Sequence, residues 1–149
     1  MTTWTPHVTV ATVVERNGAY LMVEEVDKAT GKLVFNQPAG HLEENESITE
    51  AALRETSEET GWEVSLRGVL GIALYRAPAN GVTYYRTTFL ATPLRALEHA
   101  RLDPDIRAVH WLDYEAILDN SARMRSPLVL AAIEQHRQGI CYPLDLIYA

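Results

Sequence analysis

The sequence predicts an α/β (α+β) fold, a central mixed β-sheet with helices packed on its faces, and three observations predict it. Strand-length apolar and β-branched runs recur along the chain, one helix is marked at both ends, and strands and helices are interspersed without the strict alternation of a doubly wound fold. The first two runs, residues 8–14 and 19–25, flank Asn17-Gly18, a dipeptide suited to a two-residue hairpin turn, and read as antiparallel strands. Residues 27–32 are turn-rich and 33–35 form a short strand; residues 36–40 are expected to be irregular, because Pro38 has no N–H for a ladder. Ser47 with Glu50 three residues later makes a capping box and Gly61 a C-terminal stop, which sets a helix over residues 48–60. Residues 63–76 and 81–92 alternate as strands around the turn Pro78-Ala79-Asn80-Gly81. Asp103-Pro104-Asp105 opens a loop before a short strand at 109–112, Asp113 caps a short helix at 114–118, and Pro127 and Gly139 bracket a last helix.

With 149 residues, 47% hydrophobic and 22% charged, and neither repeats nor a Ser/Gly-rich linker, the chain is expected to form one domain over residues 1–149. Thirteen Lys+Arg against 20 Asp+Glu give a net charge of −7, which removes bulk attraction to nucleic acid and requires a local cation for any phosphate-bearing ligand. A single cysteine, Cys141, excludes an internal disulfide, reads as a buried small hydrophobe, and makes the reducing cytoplasm the expected location. The longest late apolar run, residues 128–133, is far short of the ~20 residues that span a bilayer, so neither membrane nor nucleic acid is expected as a partner. A Walker-type phosphate loop, a dinucleotide fingerprint and a Gly-x-Ser-x-Gly elbow are all absent.

The chemistry concentrates on the helix at 48–60. Glu55, Glu58 and Glu59 stand at i, i+3 and i+4, so their carboxylates share one face and repel unless something positive sits among them. A divalent cation is the natural partner, and oxygen-only ligands suit a hard ion, Mg²⁺ or Mn²⁺; no Cys/His spacing argues for zinc. Ile48, Ala51 and Ala52 fall on the same azimuth, so the acids continue the apolar stripe towards the body of the domain or a cleft. Taken alone, the three spacings fit a solvated Glu-rich helix equally well.

The surrounding residues decide between these readings. Gly40, five residues, Glu46, seven residues, Arg54-Glu55, two residues, Glu58-Glu59, one residue and Gly61 resemble, at seven fixed positions over 22 residues, the box of the Nudix hydrolases. Thr56 and Trp62 stand where that box has aliphatic residues. Pro6-His7-Val8-Thr9-Val10-Ala11, the run from Asn36 to Glu43, Arg125-Ser126-Pro127-Leu128-Val129 and Tyr142-Pro143-Leu144 are similar to the NudJ-type phosphatase branch of the superfamily. The resemblance covers nearly the full length. It implies the Nudix fold, an α/β/α sandwich, and a monomer that hydrolyses nucleoside tri- and diphosphates and a thiamine-pathway pyrimidine pyrophosphate with Mg²⁺, releasing orthophosphate.

The resemblance also implies roles. Gly40 through its carbonyl, Glu55, Glu58 and Glu59 would surround the metal, and Arg54 would hold a carboxylate in place, although it also reads as a surface partner of Glu50 or Glu58. Glu58 is expected to orient or deprotonate the attacking water. Asp105 is the leading candidate outside the box, with Asp103 and Glu98 competing and a plain turn role after Pro104 equally open. On the substrate side stand His7, His41, Asn36, Gln37 and Arg125, each with a structural alternative in loop, turn or cap. Arg76, Tyr84, Tyr85 and Arg86 offer stacking and charge on adjoining strands, where alternating residues usually just pack. The competing functions are a MutT-like pyrophosphohydrolase, a Nudix-fold nucleotide-binding module that does not cleave, and a non-hydrolytic enzyme such as an isoprenoid isomerase.

Overall fold

This computed structural model describes residues 2–148. Seven strands, β1 (His7–Arg16), β2 (Ala19–Val26), β3 (Leu33–Asn36), β4 (Ala39–His41), β5 (Trp62–Arg76), β6 (Thr83–Ala96) and β7 (Ile106–Asp113), join into one mixed sheet of order β3-β2-β1-β6-β5, with β4 on β1 and β7 on β2. Three helices accompany it, α1 (Ile48–Thr60), α2 (Tyr114–Asp119) and α3 (Pro127–Arg137). The pair β1/β6 is parallel, from His7↔Tyr84 to Val14↔Ala91, and the other pairs are antiparallel.

Both faces of β1 are covered, and residues 9–14 are all buried. Val10 joins Ala51 and Ala52 of α1, Val69 and Phe89 in one apolar cluster, whereas Val13 joins Leu70, Ile117, Val129 and Ile133 of the α2/α3 side in another. Since successive strand side chains point to opposite faces, α1 and α3 pack on opposite sides of the sheet, the α/β/α sandwich that was expected. Thr12, on the α1 side, pairs its hydroxyl with that of Thr56 at 2.6 Å, and Thr56 also donates to the Ala52 carbonyl at 2.7 Å. This explains the polar residue at a position where an aliphatic one was expected: the two buried hydroxyls satisfy one another.

Two expectations are corrected, and a third, the antiparallel hairpin, holds over a short ladder only. Residues 36–40 are not all irregular: Asn36 ends β3, and β4 pairs with β1 through Ala11↔Ala39, Val10↔Gly40 and Thr9↔His41. Pro38 sits between the strands and needs no N–H there, and its carbonyl accepts from Thr12 N at 3.0 Å. The turn at Asn17-Gly18 forms, but ladder partners of β1 and β2 are confined to Glu15↔Tyr20 and Arg16↔Ala19, because β1 turns to β6 and β4 while β2 turns to β3 and β7. Cys141 is exposed, not buried, since Tyr142 pairs with Val69 at the edge of β5 and leaves Cys141 outside the core.

Candidate active site

The helix that carries the acids is fixed at both ends. Ser47 accepts from Glu50 N at 3.1 Å while the Glu50 side chain accepts from Ser47 N at 3.2 Å, and Gly61, at φ 72°, donates to the Ser57 carbonyl to close the last turn. The three carboxylates do not share one environment. Glu59 is buried and accepts from Ala39 N at 2.8 Å, the Glu55 side chain is 13% exposed and that of Glu58 is 50% exposed.

Arg54 ties this face to the preceding loop. Its Nε and Nη2 donate to the two oxygens of Glu46 at 2.6 and 3.0 Å, Nη1 donates to Glu55 at 2.8 Å and to Glu58 at 3.1 Å, and Nη2 also reaches the His41 carbonyl at 3.1 Å. Glu50 is occupied by the cap instead. The Arg54 hydrogen bond holds the Glu46 carboxyl below its usual range. Burial pushes the Glu59 carboxyl up to about 9, against the Ala39 N–H, and burial likewise raises Glu55, against the pull of Arg54.

Gly40 lies directly against this face: a Cβ there would overlap the Glu55 carboxyl, so only glycine lets the β4 backbone approach. The acids beside the Gly40 backbone are all carboxylates, and two of them, Glu55 and Glu59, are driven towards protonation by burial. That chemistry fits a hard divalent cation. No ready-made cage of three such side chains exists among the described residues, because Arg54 engages Glu55 and Glu58 together.

A cleft of about 850 Å³ opens beside Gly40, His41, Glu55 and Glu59. His41 contacts His7 at 3.1 Å, and burial, then the neighbouring His7 and Arg125, lower its pKa. Asp105 reaches the cleft mouth and is paired with the largely exposed Lys28 at 3.0 Å; Asp103 lines the cleft too, whereas Glu98 does not. Asn36 faces the cleft, its amide donating to Glu25 at 3.1 Å. Gln37 does not reach it: fully buried, it donates to the Val129 carbonyl at 2.7 Å and accepts from Arg86 at 2.7 Å. Arg125 lines the cleft but is already paired with Glu25 at 2.9 Å, and Ser126 next to it caps α3.

Two cleft residues carry more than the sequence pattern assigned. Arg86 is not a packing residue on an alternating strand but a buried guanidinium bonded to Asn36 and Gln37, and Glu25 is the carboxylate between Asn36 and Arg125. The available signal was polarity at buried strand positions. Arg86 follows Tyr84 at the i+2 spacing of one sheet face, and Glu24-Glu25 end an apolar run, with Glu25 on the face of Val23.

A sandwich with a glycine-abutted acidic helix beside a cleft is the setting, and comparison with known proteins gives the class, a hydrolase of phosphoanhydride bonds. Residues 4–132 match the NUDIX domain family, and the chain belongs to it. Phosphatase NudJ of Escherichia coli (strain K12) is 39% identical over 142 residues, 95% of this chain and 90% of that protein. A NUDIX hydrolase from Nitrosomonas europaea superposes with a TM-score of 0.94 at 39% identity, covering 97% of each chain. A MutT NUDIX hydrolase from Burkholderia pseudomallei, 24% identical with a TM-score of 0.71 over 89% of this chain and 98% of that one, shares the fold.

Proposed function

We propose that this chain is a monomeric Mg²⁺-dependent Nudix phosphatase, with Mn²⁺ able to substitute, that releases orthophosphate from nucleoside tri- and diphosphates and from hydroxymethylpyrimidine pyrophosphate, a thiamine precursor. The observation that carries the reading is the Arg54 fork, which holds Glu46, Glu55 and Glu58 beside the Gly40 backbone with buried Glu59 beneath. Likeness to phosphatase NudJ supports the choice of orthophosphate as product.

Glu55, Glu58, Glu59 and the Gly40 carbonyl would hold the ion, which when bound supplies neutralisation of phosphate oxygens and acidification of water. Arg54 sets the directions of Glu55 and Glu58 and keeps the loop through Glu46 closed on the helix. Glu58, the most exposed of the three acids, orients the attacking water and takes its proton, with Asp105 as the alternative base. His41, backed by His7, and Asn36 contact the substrate from the cleft wall. Gln37 acts one step removed, by fixing Arg86.

The test is ³¹P NMR of the products from GTP, GDP and the pyrimidine pyrophosphate, with Mg²⁺ and with an EDTA control. Stepwise orthophosphate is expected. Pyrophosphate with monophosphate would make the chain a MutT-like pyrophosphohydrolase, and binding without any product would make it a nucleotide-binding module.

A further inference from the structure

Arg86 is short of a counter-charge. It comes from β6 in register with Thr9 of β1, whose other neighbour is His41 of β4, and its side chain lines the cleft that holds Gly40, Glu55 and Glu59. It is buried, 8% exposed, yet only neutral oxygens meet it: Nη2 donates to Gln37 Oε1 at 2.7 Å and to Asn36 Oδ1 at 3.3 Å. Nε is enclosed without any partner, Nη1 has none among the described residues, and no carboxylate pairs with the guanidinium there. Arg125, on the same cleft, has its charge matched by Glu25. Glu25 and Glu59 act on it only at longer range, and a buried cation with no carboxylate bonded to it is costly unless a further partner completes it.

The guanidinium is also held still. Gln37 is fully buried and anchored by its amide to the Val129 carbonyl of α3, and Asn36 is anchored to Glu25, so both acceptors that grip Nη2 are themselves fixed. The N-terminus of α3 reaches the same cleft at Ser126 and Leu128 and adds the positive end of its dipole. Burial lowers the pKa of Arg86 to about 10, so it stays charged at neutral pH.

We propose that Arg86 is the anion-binding residue of the cleft, donating from Nη1 to a phosphate oxygen of the ligand, and that Arg125 is not. The inference rests on the reading of the chain as a phosphoanhydride hydrolase. The phosphate is either the group of the substrate that is not under attack or the orthophosphate already released. Both present the same anion, and kinetics separates them.

The experiment compares the full chain with Arg86→Gln and Arg86→Lys on GDP in Mg²⁺, with orthophosphate as inhibitor. A charge-assisted hydrogen bond contributes ~1.5–3 kcal/mol, so Arg86→Gln is expected to weaken phosphate binding about 10- to 100-fold while kcat changes less than about threefold, and Arg86→Lys to recover part of the loss. A rise in KM together with the inhibition constant assigns the substrate phosphate; a rise in the inhibition constant alone assigns the product. Unchanged values of both in a folded Arg86→Gln protein overturn the proposal. If that variant does not fold, the Arg86 Nε–H resonance of the wild-type protein, assigned by its absence from Arg86→Lys, is followed on adding orthophosphate. Movement that saturates supports the proposal and a fixed signal overturns it. A wild-type protein that cleaves nothing refutes the hydrolase reading, and the same titration still decides whether Arg86 binds phosphate.

Discussion

Glu58 differs from its two neighbours on α1 in being half exposed and held only by Arg54, which leaves it free to exchange that partner for water or a cation. Glu58→Gln keeps the shape and removes the charge. Turnover is expected to fall about 10²- to 10⁴-fold with the melting temperature nearly unchanged, as steady-state kinetics beside calorimetry would show. Glu59 behaves in the opposite way. Its carboxyl is raised from 4.5 to about 9 by burial, so between those values the metal-free folded protein binds a proton that the unfolded chain does not. Stability in EDTA must therefore fall as pH rises through that window. Thermal melts across it should show the decline in the wild type and a flatter profile in Glu59→Gln. The spacing of Glu55, Glu58 and Glu59 was legible in the sequence, but their separation into enclosed and exposed groups was not. That difference comes from β4, which sets Ala39 N against Glu59, and from the loop residue Glu46, which anchors Arg54 over Glu55 and Glu58. Gln37 and Arg86 were illegible for the same reason: their partners lie 92 and 49–50 residues away.

At the scale of elements, α1 was the most legible part of the fold, because a capping box and a left-handed glycine are local signals that the structure reproduces residue for residue. The segment at 36–40 was misread because the effect of one proline was extended to its neighbours, whereas Ala39 and Gly40 find their partners on β1. The hairpin at Asn17-Gly18 shows the limit of a turn signal: it sets the reversal and not the ladder that follows. The seam between α1 and β1 offers a direct measurement. Thr12 and Thr56 are both fully buried and bond to each other, so Thr56→Val strands the Thr12 hydroxyl and should cost about 1–3 kcal/mol in denaturant unfolding. Thr12→Val with Thr56→Val removes both polar groups and should recover most of that loss. Failure to recover would mean that the Ala52 carbonyl contact carries the effect.

Over the whole molecule, the parallel pairing of β1 with β6 decides where the site lies. It joins residues 7–14 to 84–91, and so sets Thr9 between His41 on one side and Arg86 on the other. No short-range pattern encodes a pairing across that distance, which explains why the mixed sheet was legible as a class while its strand order was not. The same arrangement gathers Glu55, Glu59 and Asp103 on the cleft in a chain of net charge −7, and so sets a cost that a bound cation would relieve. A ligand that binds only the folded state stabilises it by mass action, ~2.7 kcal/mol at a hundred times its dissociation constant, or about 5–10 °C for a domain of this size. Mg²⁺ should therefore raise the melting temperature in a concentration-dependent way, beyond the effect of NaCl at matched ionic strength. Glu55→Gln combined with Glu59→Gln should abolish the rise. EDTA should abolish turnover and added Mg²⁺ restore it. Turnover that persists in EDTA, or a melting temperature that Mg²⁺ leaves where NaCl does, would show that these carboxylates serve packing and not a metal.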